Sequence, residues 1–471
     1  MFAKRGKGFT FGNGRTPIRE YKRTCVRRAS GAMSRADTYF GLDFGTSGAR
    51  GILIDEDEEI LFTEKVPYNL TVAEEEFKHG YGDCSSWKAA LFTLLDGMPE
   101  ELRSTVKAIC IDGTSSTSLL VDRGNGEVIS RPLMYNYSAK QSVVDRVKEL
   151  APRGHITASS TSTLCKLFTW LYEDGIKIDD DILLMHQADW LSSLLLGEIH
   201  STTDFNTCLK LGYDPGVESY PQWMKEQNFF RCLPQRIVAP GTPLGLVDAK
   251  FGFSEACQVV AGTTDSTAAF LAAGASTPGE AVTSLGSTLV VKVLTSTRID
   301  DAKLGIYSHK LWDGLWLAGG ASNTGGIVLK KYFSESELKD LSEQIDVAKP
   351  TGLHYYPLVS PGERFPIADP TLKPKLDPKP DSRVVFLQAI LEGIGETEAL
   401  GYQFMQDLGC RPPLKRVITT GGGARNPTWT LIRQNLLKVP VTKAKHVEAA
   451  FGSAKLALRA RESTGGTRTS S

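Results

Sequence analysis

The sequence predicts an α/β fold of two lobes that face each other across a cleft. First, an apolar strand, a turn of small polar residues and a second strand occur at 39–55, with the turn Gly45-Thr46-Ser47-Gly48, and again at 281–294, with the turn Gly286-Ser287-Thr288. Such turns expose backbone N–H groups and hydroxyls, with no bulky side chain in the way of an oxyanion. Two of them facing each other would hold a polyphosphate between lobes. Second, strand pairs followed by helices recur through the first half, the pattern of α/β domains with sites at strand ends. Third, 471 residues allow two large domains or about three of ordinary size.

Composition narrows the function classes. The net charge is zero, so the chain as a whole has no electrostatic bias toward nucleic acid or an anionic membrane. No apolar run approaches the roughly 20 residues of a membrane helix. The eight cysteines form no C-x-x-C pair, so they read as reduced, mostly buried thiols rather than metal or redox sites. Residues 1–36 hold ten Lys or Arg and a single acid, Glu20. An Arg-rich, acid-poor leader without an apolar core fits an organelle transit peptide, the alternative being a disordered basic arm.

The elements follow in order. Residues 38–70 read as a meander of strands 39–43, 51–55 and 60–67, with an acidic last turn at 56–59. Helical spacing covers 87–95. The strand 106–112 ends in Gly113-Thr114-Ser115-Ser116-Thr117, and another strand follows at 119–122. Residues 159–213 read as helical, with apolar faces at 164–172 and 189–196. The stretch 259–273 runs from a strand through Gly262-Thr263-Thr264-Asp265-Ser266 into an Ala-rich helix. The meander restarts at 281, which places the lobe boundary at 274–280. The proline-rich 355–382 reads as an irregular crossing, 383–408 as one long buried helix, and 417–420 as a strand entering Gly421-Gly422-Gly423 before a helix from 427. The expected division is a leader at 1–36, a first lobe at 37–273, a second lobe at 274–458 and a disordered tail at 459–471.

Chemistry is carried by a few positions. Asp43 ends an apolar strand just before its turn, where a carboxylate can hold Mg²⁺ beside phosphates contacted by Thr46 and Ser47. By itself an Asp before a Gly turn is a turn former; the second turn gives it a phosphate context. Arg50 either neutralises phosphate charge or is a surface residue. Asp265, at a strand-to-helix turn, suits a general base that accepts a hydroxyl proton as a P–O bond forms. It also suits the N-cap of the helix that follows, and both roles are compatible. Gly421-Gly422-Gly423 lets a flat ring lie against the backbone, and Asn426 adds amide donors and acceptors. The spacing is neither that of a P-loop nor that of a dinucleotide fold.

With these pieces in order, the chain resembles the FGGY family of carbohydrate kinases over about residues 38–458. The resemblance is carried by GLDFGTSGAR, AGTTDSTAA, SLGST, GGASNTGG, PGERFPIADP, LEGIGE, TTGGGARNP and EAAFGSAKLA, in family order. It implies two RNase-H-like lobes, the actin-like ATPase fold, and transfer of the ATP γ-phosphate to a sugar hydroxyl in the interdomain cleft. It further implies that Asp43 and Asp265 are the catalytic carboxylates, Asp265 as the base, and that both hold Mg²⁺. Thr46, Ser47, Gly286, Ser287 and Thr288 would face phosphate, and Gly422, Gly423 and Asn426 would border adenosine. Asp43, Ser115, Ser116, Asp265 and Ser266 would form the sugar side. The turn 113–117 looks more like that of the ribulose-phosphorylating plant and cyanobacterial branch than the Gly-Gln-Met-His-Gly type of xylulokinases. Two departures stand out. Where many relatives carry a sugar-contacting Asp, this chain reads Met134-Tyr135-Asn136-Tyr137-Ser138, which implies a less polar sugar site. Near the adenosine, Asn435 stands where an Asp is common.

The resulting expectation is ATP- and Mg²⁺-dependent phosphorylation of D-ribulose to D-ribulose 5-phosphate, with Asp265 as base. A D-xylulose kinase and a nucleotide-binding pseudokinase scaffold are the alternatives; an RNA-binding role lacks interleaved aromatics. The expected partner is a small-molecule sugar, without nucleic acid or membrane. The expected state is a monomer or homodimer, in the chloroplast or else the mitochondrion or cytoplasm.

Overall fold

The computed structural model describes residues 24–25 and 36–464. Its first sheet is built on the meander Thr38–Phe44, Gly48–Asp55 and Ile60–Pro67, antiparallel throughout. Val106–Gly113 joins Thr38–Phe44 in parallel, and Gln258–Val260 joins Val106–Gly113 in parallel. The second sheet repeats this plan. Glu280–Leu285, Leu289–Thr295 and Trp316–Ala321 are antiparallel neighbours, and Arg416–Thr420 then joins Glu280–Leu285 in parallel. The duplication expected from the two strand–turn–strand segments is therefore a duplication of whole sheets.

Side-chain alternation along the strands divides the apolar residues between separate cores. In Thr38–Phe44, residues Phe40, Leu42 and Phe44 face a first-lobe core with Trp87, Leu91 and Ile109. Val291, Val293, Phe386, Ile390 and Trp429 form a second-lobe core around the helix Arg383–Asp407. Between the sheets lies a third apolar layer, with Tyr39, Cys110 and Val260 from the first sheet and Val282, Leu317 and Ile418 from the second. Its filling comes from two helices, Asp265–Ala273 and Ala449–Thr464. Gly41 admits the latter helix, because a Cβ there would run into the backbone of Ala450 and Ala454.

Three expectations change. The stretch read as helical at 159–213 contains the buried strand Ile182–His186, paired with Ser118–Asp122 between the helices Thr163–Tyr172 and Gln187–Leu196. The tail expected from 459 continues as helix to Thr464. That helix also packs on the first sheet, so the second lobe does not run unbroken to 458. Of the basic leader, Thr24–Cys25 pairs with Ile60–Pro67 at the sheet edge; residues 1–23, 26–35 and 465–471 lie outside the described residues. Among the described residues no helix is long and apolar enough to cross a membrane.

Candidate active site

Three carboxylates meet at the carboxyl ends of three neighbouring parallel strands, the usual ligand position in an α/β sheet. Asp43 on Thr38–Phe44 is in register with Asp112 on Val106–Gly113. Asp265 follows Gln258–Val260, and Thr264 beside it bridges to Gly113. Asp112 is the member that the sequence reading did not assign. Its only signal was its place at a strand end, and its proximity to Asp43 depends on strand register.

Their environments separate their charges. Asp112 is fully buried and receives the Ser453 hydroxyl at 2.5 Å from the helix Ala449–Thr464. Burial, and then the Asp43 charge, holds it well above the usual carboxylate range, so it is the neutral member of the pair. Burial raises Asp43 to about 6, while a hydrogen bond from Asp112 and the nearby Arg50 pull it down. At pH 7 Asp43 is the charged partner. Burial also raises Asp265, opposed by the Ser266 N–H, which donates to its Oδ1 at 2.6 Å, and by the charges of Lys292 and Lys210. The helix N-cap is Thr264, not Asp265, which is the first helical residue and keeps its carboxylate off the cap.

The first of the two turns expected to face phosphate lies beside Asp43. Thr46 and Ser47 are exposed, the Tyr68 hydroxyl donates to Gly45 O at 3.1 Å, and Thr46 Oγ1 donates to the Tyr135 hydroxyl at 3.3 Å. The second turn is tied to the helix Gly326–Tyr332, with Gly326 N donating to Gly286 O at 2.9 Å and Ile327 N to Ser287 O at 3.0 Å. A cavity of about 630 Å³ opens behind this turn in the second lobe, and Gly286, Ser287, Gly422, Gly423 and Asn426 all line it. Thr288 sits at the turn but not in that lining. The far wall comprises Leu329, Phe333, Leu338 and Ser342, which sequence reading missed because two separate helices bring them there. Asn426 joins the walls: its Oδ1 accepts from Trp429 N at 3.0 Å and its amide donates to Ser342 Oγ at 2.9 Å. Gly421, at φ 78°, turns the chain into the cavity in a backbone conformation that favours glycine.

Of the residues expected to form the sugar side, Ser115 is partly buried at its turn and Ser266 is exposed beside Asp265. Ser116 departs from the expected contact. At φ 62° its side chain is fully buried, donating to Thr161 O at 3.0 Å and accepting from Lys166 Nζ at 3.1 Å. Tyr137, in the stretch 134–138 expected to make the sugar site less polar, is buried against Tyr81. Arg50 forms an ion pair with Glu448, at the entry to the final helix. Among the described residues no three His, Cys, Asp or Glu side chains form a metal cage. The donor set suits Mg²⁺, which binds through one or two carboxylates together with substrate phosphates and water.

Residues 281–461 match the model described as the FGGY family of carbohydrate kinases, C-terminal domain. That match spans the second sheet and the helices packed on it. A xylulose kinase of Lactococcus lactis is 26% identical over 416 residues, which cover 82% of this chain and 80% of that protein. A gluconokinase of Bacillus subtilis is 26% identical over 231 residues, covering 45% of this chain and 44% of its own. Among solved structures, a xylulose kinase from Rhodospirillum rubrum superposes with a TM-score of 0.76 at 20% identity, covering 92% of this chain and 91% of its own. The glycerol kinase of Plasmodium falciparum, solved with ADP, gives 0.74 at 16% identity, covering 92% and 91%. These structural likenesses establish the two-lobed actin-like ATPase fold. With the family match in the second lobe, the chain is a carbohydrate kinase, a phosphotransferase with an alcohol acceptor.

Proposed function

We propose that this carbohydrate kinase transfers the γ-phosphate of ATP to the C5 hydroxyl of a ketopentose, D-ribulose in preference to D-xylulose. The observation that carries the reading is the meeting of Asp43, Asp112 and Asp265 at the strand ends of one lobe while five glycine-turn residues line a cavity in the other. A ketopentose acceptor is supported by the xylulose kinase relative, and ribulose by the hydroxyl-bearing turn 113–117, with Ser115 as its available contact. A nucleotide ligand is supported by the glycerol kinase of the same fold, solved with ADP, and its seat in the second-lobe cavity by the glycine turns that line that space.

In this reading Asp265 accepts the proton of the attacking hydroxyl, a contribution typically worth 10²–10⁴-fold. Its Oδ1 is held by Ser266 N–H, which leaves the other oxygen for the substrate. Asp43 supplies the negative charge, and neutral Asp112 holds it in place without adding a second charge. Mg²⁺, when bound to the phosphates beside Asp43, neutralises charge that develops on the transferred group. The Gly, Ser and Thr turns bind phosphate through backbone N–H groups and hydroxyls, and apposition of the lobes excludes water as a competing acceptor.

The test is ADP release with MgATP and D-ribulose, D-xylulose, L-ribulose, glycerol or no sugar. D-Ribulose should stimulate release most, and Asp265→Ala should remove 10²–10⁴-fold of that rate. Greater stimulation by D-xylulose would reassign the sugar. Nucleotide binding without stimulation by any sugar would favour a scaffold role. We further propose a chloroplast location, supported by the basic, acid-poor leader; imaging residues 1–36 fused to a fluorescent protein in leaf cells tests it.

A further inference from the structure

Lys292 is out of place by the ordinary rules of burial. It lies mid-strand in Leu289–Thr295, opposite Val282 and Gly319, on the face that contributes Val282, Leu294 and Leu317 to the apolar layer between the lobes. Lysines are almost never fully buried without a partner, yet among the described residues no carboxylate is in ion-pair contact with it. Its stem is accommodated by Gly319, where a Cβ would stand 2.9 Å from Lys292 Cγ. Its ammonium crosses to the first lobe and donates to Ser266 O at 3.0 Å and to Ser266 Oγ at 3.3 Å. Ser266 N–H in turn donates to Asp265 Oδ1 at 2.6 Å.

We infer that Lys292 is a positioning residue by which the second lobe aims the base carried on the first: Lys292 fixes Ser266, and Ser266 fixes the Asp265 carboxylate. The inference rests on the reading of Asp265 as the base. The turn that bears Asp265 opens the last first-lobe helix before the chain crosses over, so its local contacts alone leave it free to shift with that helix. A bond from the opposite sheet makes its position depend on how the lobes meet. The other charged or titratable groups near Asp265 do not duplicate this. Lys210 acts on it by charge without a hydrogen bond to the turn, His309 is buried and neutral beside Lys292, and Asp43 and Asp112 repel it.

The test compares wild type, Lys292→Met and Lys292→Arg in steady-state kinase assays, with melting temperature and ADP affinity measured on each. Methionine fills similar space and removes a buried charge, so folding should be retained. Lys292→Met is expected to lower kcat by roughly 10²-fold, the cost of a misplaced reacting group. The KM values for sugar and MgATP and the affinity for ADP should stay within about threefold, and Lys292→Arg should recover at least about tenfold of the lost kcat. A Lys292→Met enzyme within threefold of wild-type kcat would overturn the inference. So would equal losses in both variants accompanied by a fall in melting temperature, which would mark a purely structural role. A wild-type protein that binds ADP but is stimulated by no sugar would overturn the kinase reading itself, and the aiming role with it.

Discussion

Asp43 and Asp112 stand side by side in register, and their surroundings assign one proton to the pair. Because Asp112 is the neutral member, Asp112→Asn should be a mild change. The melting temperature should stay within a few degrees and kcat at pH 7 within about tenfold, because the amide can still accept from Ser453 and donate to Asp43. Asp112→Ala leaves both neighbours without their partner and should cost about 1–3 kcal/mol for each buried polar group so orphaned; thermal melts of the two variants check the contrast. Asp204 gives a second prediction. It is buried at the end of Thr202–Asp204, accepts from Asn206 N at 2.8 Å, and is pushed up to about 7 by that burial. A carboxyl raised above its unfolded value contributes stability that is fully present below about pH 4 and is lost as pH rises toward 7. Asp204→Asn should therefore raise the melting temperature at pH 8 and flatten its decline between pH 4 and 7, by a few kcal/mol at about 1.4 kcal/mol per unit. At this scale the sequence singled out residues that stand at turns of their own strands, such as Asp43, Asp265 and Gly422, and the structure places them at strand ends and in the cavity lining. It did not reveal Asp112 or Lys292, whose partners are set by strand register and by the opposite lobe. Ser115 and Ser116 read alike in sequence, and only the left-handed backbone at Ser116 sends one hydroxyl into the interior.

The final helix raises the same issue for elements. EAAFGSAKLA enters the sequence reading only as a segment of the resemblance, and nothing local in it says which sheet it packs against. Ala449–Thr464 returns to the first sheet, so the chain's last element completes the carboxylate site through Ser453 and seals the layer between the lobes. Gly41→Ala places a methyl group against the helix backbone at Ala450 and Ala454, which has no flexible end to move aside. It should cost about 1–3 kcal/mol or more, read as a lowered urea midpoint with an unchanged slope. Ile182–His186 shows the converse limit. Five consecutive apolar or aromatic residues carry no period, so strand and helix are equivalent readings until a partner strand decides. The long helix Arg383–Asp407 was legible because its length leaves no such ambiguity.

Across the whole molecule the large cavity and the carboxylate cluster are housed in different lobes. The cavity with the glycine turns is lined entirely by second-lobe residues, whereas Asp43, Asp112 and Asp265 all belong to the first lobe. Nucleotide binding and phosphoryl transfer should therefore separate under mutation. ADP is expected to bind without sugar, and calorimetry on Asp265→Ala should give a dissociation constant within about threefold of wild type while sugar-stimulated turnover falls by 10²–10⁴-fold. At a hundred times that constant ADP should add about 2.7 kcal/mol of stability, equally in both proteins, because the contacts that hold it do not include the base. The reciprocal variant is Gly422→Leu. Gly422 lines the cavity, and the nearest atom to a Cβ there is Arg425 Nη2 at 3.7 Å, so the added side chain grows into space that the fold leaves open. That variant should fold normally and lose at least tenfold in ADP affinity. If Asp265→Ala weakened ADP as much as Gly422→Leu did, the nucleotide would have to reach the first lobe, and the second-lobe cavity would not be its main seat.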